Sequence, residues 1–156
     1  MHYLAREHWS PRYDSTFFTI QITGAEKLTR PPSIPQGMSG KANHPAFYFQ
    51  VEVFSEQKKH VCLRRYSHFK WLHEVLHTSP PSEAQHEDEP LRLPPGSCPW
   101  QVQDEEFITT RLDALRDYLR DFLSRPGYAR HPAVRTFLEL ASFEQQSTMA
   151  PAVDSC

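Results

Sequence analysis

The chain has 156 residues, of which 38% are hydrophobic, with a formal net charge of -2 and 14 prolines against 5 glycines. That length carries one domain with a single core, and the clustering of the apolar residues excludes a disordered chain. One short basic run in a slightly acidic protein disfavours a nucleic-acid binder. Cys62, Cys98 and Cys156 form neither an even framework nor a metal-like spacing, so a reducing, cytoplasmic setting is expected. No run reads as a signal peptide or a membrane-spanning segment, so any membrane contact is expected to be peripheral.

Residues 1–14 read as a polar-aromatic arm. The β-branched and aromatic run from Thr16 to Thr23, halted by Gly24, predicts the first strand. Prolines and small polar residues from Ala25 to Pro45 predict a long loop. Within it, Pro32-Ser33-Ile34-Pro35 has a polyproline composition but no cation at the usual flanking positions, and reads as a spacer. Phe47, Phe49, Val51 and Val53 alternate with polar partners in a second strand, and His60 to Arg64 make a third with Val61 and Leu63 on one side.

From Ser67, taken as the N-cap, the period becomes helical: Phe69, Leu72 and Leu76 face inward, with Val75 at the margin, until Ser79-Pro80-Pro81. Ser82 to Trp100 is acidic, then proline-stiffened, and reads as extended loop. Asp104 opens the longest helix, whose stripe is Ile108, Leu112, Leu115, Leu119 and Phe122; Pro126-Gly127 ends it. A short helix is expected from Pro132 through Leu140, and 142–156 is a polar tail expected to be disordered. The predicted fold class is α+β, a three-stranded antiparallel β-meander packed against a helical subdomain with a proline-rich extended loop, spanning 15–141.

Five Lys or Arg and no acid lie between Gln57 and Lys70, so the positive charge is local and a local anionic partner is implied. Arg64 and Arg65 close a strand beside Tyr66, pairing directional cations with a flat ring. Arg111 projects from the long helix about 60° from Ile108, at the edge of the apolar stripe. A rival reading is His73-Glu74-Val75-Leu76-His77, the His-Glu-x-x-His pattern of zinc proteases. That helix must also give Phe69, Leu72 and Leu76 to the core, and no third ligand follows, so the histidines read as adventitious. No nucleophile motif or glycine-rich phosphate loop occurs; neither an enzyme nor a cofactor is expected.

Arg-Arg-Tyr-Ser-x-Phe-x-x-Leu at Arg64 to Leu72 resembles the central signature of the PX (phox-homology) domain, the phosphoinositide-binding module of sorting nexins and NADPH-oxidase subunits. The order of predicted elements is also that of the family. The resemblance implies that Arg65 grips the 3-phosphate, that Tyr66 packs beneath the inositol and that Arg111 binds the ring hydroxyls. It implies a phosphatidylinositol 3-phosphate ligand on endosomal or vacuolar membranes. It also implies a membrane-insertion loop, here Cys98, Trp100 and Val102. The sequence departs from the pattern after Pro94-Pro95, where Gly96 stands in place of the family lysine and Arg92 is the only nearby cation. Losing one charge-assisted contact costs roughly 1.5–3 kcal/mol, about ten- to a hundredfold in affinity. The alternative this raises is a PX fold used as a protein-interaction adaptor with a degenerate lipid pocket.

Overall fold

A computed structural model describes residues 18–55, 58–82, 90–96, 104–125 and 127–141. Strands β1 (Thr19–Leu28), β2 (Ala46–Ser55) and β3 (Lys58–Arg64) form an antiparallel sheet in that order. Helices α1 (Tyr66–Thr78) and α2 (Glu105–Leu123), a 3-10 turn at Tyr128–Arg130 and α3 (Pro132–Leu138) follow. This is the α+β meander with a helical subdomain that the sequence predicts. The expected arm at 1–14, the tail at 142–156 and the loop carrying Cys98, Trp100 and Val102 lie outside the described residues.

The first strand does not stop at Gly24. It continues to Leu28, and the long loop begins four residues later than expected. The reason is a bulge: Ile22 pairs with Val51 but Gly24 with Gln50, leaving Thr23 as the extra residue. The bulge changes the parity of the inward face. Before it Ile20 and Ile22 pack on the core; after it Ala25, opposite Phe49, does so. Polar Glu26 and Lys27, which look like loop in sequence, occupy the ordinary strand positions beyond.

β3 turns the opposite way from its apolar residues. Val61 is 44% exposed, while His60, Cys62 and Arg64 face inward because their partners Val53, Val51 and Phe49 do. Arg64 is fully buried. Its Nε donates to Phe137 O at 2.9 Å, Nη1 to Leu63 O at 2.7 Å and Nη2 to Glu139 at 2.7 Å. Glu139 sits at φ 54° just beyond α3, which ends at Leu138 and not at Leu140. The pair of arginines expected to make one cationic corner is therefore split: Arg64, the last residue of β3, bonds to Phe137 O and Glu139, while Arg65, just beyond the strand, bonds to Lys41 O and Asn43 O.

α1 presents Phe69, Leu72 and Leu76 to the core as their spacing predicts. Phe69 meets Phe49 edge-on at 6.2 Å and Phe137 at 5.0 Å, tying sheet, α1 and α3 together. Each such buried ring or leucine contributes about 1.5–3 kcal/mol. α2 is capped by Asp104, whose Oδ1 accepts from Phe107 N at 2.9 Å, and buries Leu115, Tyr118, Leu119, Phe122 and Leu123. The turn after it places Gly127 at φ 86°, a left-handed conformation that favours glycine.

The N-cap of α1 is Arg65, not Ser67. Arg65 N donates to Nδ1 of buried His68 at 3.1 Å, so the ring is neutral with its proton on Nε2. Burial, with help from the charges of Arg64 and Arg65, pulls His68 down from 6.5 to about 4. Between those values only the unfolded chain takes up the proton, so stability is complete above pH 6.5 and falls as the pH drops toward 4. We expect His68 to account for a loss of about 2 kcal/mol between pH 7 and about pH 5 in urea unfolding. His68→Asn keeps an acceptor for Arg65 N without titrating, and should flatten the profile by that amount. An unchanged pH slope in this variant would refute the assignment.

Candidate functional site

The junction between β3 and α1 builds the site. Arg65 is 8% exposed and lies against the ring of Tyr48, 5.9 Å from its centroid. Its Nη1 donates to Lys41 O and Asn43 O, both at 2.9 Å, and its Nη2 to Asn43 Oδ1 at 3.3 Å. The loop between β1 and β2 is thereby strapped to the start of α1. Lys41 N adds a bond to Ser67 Oγ at 3.0 Å. Gly40 permits this approach, because a Cβ there would meet His68 Cδ2 at 2.7 Å. Among the described contacts Arg65 Nε makes no hydrogen bond, and no fully buried side-chain polar atom of the described residues lacks a partner, so Nε keeps some access to solvent.

Tyr66 donates through its hydroxyl to Pro94 O. Burial, partly opposed by Arg111, holds its phenol above the ordinary range, which keeps it neutral and a donor. The Arg111 guanidinium lies 4.2 Å over the Tyr66 ring and 4.8 Å from the Phe107 ring, and its Nη2 donates to Pro95 O at 2.6 Å. The tyrosine and the arginine together therefore hold the Pro94-Pro95 carbonyls. One face of the expected tyrosine floor is consequently covered by Arg111.

Arg65, Tyr66 and Arg111 line one cavity of about 410 Å³, a volume within the range of small-ligand sites. Lys41 and Lys70 line it too, as does Gly96, and no acidic residue does so among those described. Arg92 is exposed and is absent from that lining. Sequence reasoning counted Lys70 only as part of the basic run and overlooked Lys41. A Lys70 signal was present, since it lies one helical turn after Tyr66; nothing local marks Lys41. A larger cavity of about 610 Å³ lies between the 33–36 segment and α3, but its lining holds one cation, Arg135, and one anion, Glu139, and so gathers no net charge. It has volume without an anion-binding constellation.

Residues 52–141, more than half of the chain, match the PX domain family. The chain belongs to that family. Its fold is similar to a designed CISK-PX domain (TM-score 0.57, 24% identity, 77% of this chain and 97% of that one) and to the mouse SNX19 PX domain solved with a bound sulphate ion (TM-score 0.52, 19% identity, 80% and 98%). No curated protein matches it in sequence. PX domains are in general phosphoinositide-binding modules that recruit to membranes from the side and are not enzymes. In this PX domain no described helix is long and apolar enough to cross a membrane.

The other candidate clusters of the PX domain are explained by packing. His73 Nδ1 shares a hydrogen bond of 3.1 Å with the Tyr118 hydroxyl, fixing α1 against α2, while His77 is exposed. Burial, then the neighbouring His77, lowers the His73 pKa. His60, Cys62 and Glu139 bring three ligand types within 4.8 Å of one another. Their chemistry does not suit a cation. The Cys62 thiol is pushed up to about 12 by burial, and the Glu139 carboxylate is already held by Arg64 and His60. Burial raises the Glu139 pKa, but the hydrogen bonds and charges of those two partners outweigh it and the net shift is downward.

Proposed function

We propose that this PX domain binds the headgroup of a 3-phosphorylated inositol lipid, phosphatidylinositol 3-phosphate first, and recruits itself or a bound partner to endosomal or vacuolar membranes in trafficking. The observation that carries the proposal is the placement of Arg65, Tyr66 and Arg111 on one cavity with no described acid. In this reading the open edge of Arg65 takes the ring phosphate in a bidentate pair, with its other edge fixed by the loop. Arg111, stacked on Tyr66, meets the ring hydroxyls, which replace its bond to Pro95 O or share it. The loop residues Cys98, Trp100 and Val102 would enter the headgroup region, tryptophan favouring that interface.

Liposome flotation with a phosphoinositide panel tests the reading. Vesicles containing phosphatidylinositol 3-phosphate should recruit the protein, and Arg111→Ala should weaken recruitment by about tenfold or more. Equal binding to phosphatidylcholine vesicles with and without the phosphoinositide would refute it. One observation favours a second reading, a protein-interaction adaptor: both site arginines already donate to carbonyls of their own chain. Partners captured by wild type and retained by an Arg65→Ala, Arg111→Ala double variant, with no lipid recruitment by either, would support that reading.

A further inference from the structure

The cavity is graded in depth, and the grading divides its cations into two sets. Arg65 is buried and Arg111 is half-buried on Tyr66, whereas Lys41 and Lys70 are exposed and stand at the rim. Lys41 is held in place from both sides: its N–H donates to Ser67 Oγ and its carbonyl accepts from Arg65. Gly40 presses the same loop onto α1, where a larger residue would collide with His68. Lys70 leaves α1 one turn beyond Tyr66, from a helix fixed by the core. Gly96, on the same lining, brings backbone but no charge, although a Cβ there would make only an ordinary 3.6 Å contact with Tyr66.

A lipid headgroup enters such a cavity with its glycerol-linked phosphate trailing, because the acyl chains stay in the bilayer. The ring phosphate reaches the buried arginine, and the diester phosphate stops at the mouth. We infer that Lys41 and Lys70 form the subsite for the phosphodiester that joins headgroup to lipid. The charge absent from the proline-rich loop at Gly96 is supplied from the β1–β2 loop and the second turn of α1. Ammonium groups on flexible stems suit a singly charged diester whose position varies with the tilt of the lipid, whereas the planar fork of arginine suits the fixed ring phosphate. This assignment rests on the headgroup reading above.

Isothermal titration calorimetry with two soluble probes tests it: dibutanoyl phosphatidylinositol 3-phosphate, which has both phosphates, and inositol 3-phosphate, which has only the ring phosphate. Neither probe forms a bilayer, so general attraction to an anionic surface does not enter. Wild type should bind the short-chain lipid about tenfold more tightly than inositol 3-phosphate, a modest factor because the lysines are exposed. In the Lys41→Ala, Lys70→Ala double variant that ratio should fall to within about twofold, with affinity for inositol 3-phosphate and the melting temperature unchanged. If wild type binds both probes and the double variant keeps the wild-type ratio, the diester assignment is wrong and the headgroup reading stands. If wild type binds neither probe, the headgroup reading fails and the assignment falls with it.

Discussion

Arg64→Ala should destabilise the domain by about 3–5 kcal/mol, enough to leave a protein of ordinary stability largely unfolded at moderate temperature. The guanidinium is fully buried, donates to Phe137 O, Leu63 O and Glu139, and lies over the Phe137 ring, its carbon 5.5 Å from the centroid. Truncation removes the link between β3 and the end of α3, opens a cavity in the core and leaves Glu139 short of its strongest partner. The charge itself is not what the fold needs. Combining Arg64→Met with Glu139→Gly fills the space, removes the orphaned carboxylate and places glycine at a φ of 54° that it prefers. The double variant should therefore recover most of the loss. Urea unfolding of wild type, Arg64→Ala and the double variant checks both statements; an Arg64→Ala midpoint near that of wild type would show that the clamp is dispensable.

Arg64 also marks where sequence reading reaches its limit. The alternation Phe47 to Val53 and the spacing of Phe69, Leu72 and Leu76 locate sheet and first helix directly, because one periodic face of each is buried. Arg65, Tyr66 and Arg111 were legible as site candidates from residue type and family signature, and the fold brings the three to one cavity. The bulge at Thr23 was not legible, since an inserted residue breaks the period on which strand detection relies. Nor was the inward turn of β3: Val61 and Leu63 advertise a buried side, but the register with β2 sends Cys62 and Arg64 to the core, with Phe137 O and Glu139 waiting to satisfy the arginine. Lys41 comes from a loop whose course is decided by hydrogen bonds to Ser67 and Arg65, both more than twenty residues away. Contacts of that range have no signal in a local window.

The largest functional effect is expected at Arg65, and the structure changes what the usual truncation would report. Sequence alone suggests that Arg65→Ala removes binding and leaves stability untouched. Its Nη1 bonds to Lys41 O and Asn43 O, with Nη2 near Asn43 Oδ1, predict two losses: headgroup affinity falling by about a hundredfold or more, and stability falling by about 1–2 kcal/mol as the strap is released. The second loss is the smaller because Lys41 and Asn43 are exposed and their carbonyls can turn to water. Arg65→Lys separates the two roles. An ammonium can keep the charge and one carbonyl contact, but it has no second planar edge with which to grip a phosphate in parallel. It should hold stability within about 1 kcal/mol of wild type while binding at least about tenfold more weakly. Calorimetric titration with the short-chain lipid, paired with thermal melts, reads both quantities. Wild-type affinity in Arg65→Lys would mean that the ring phosphate needs only a point charge, and that the open edge of the guanidinium is not its receptor.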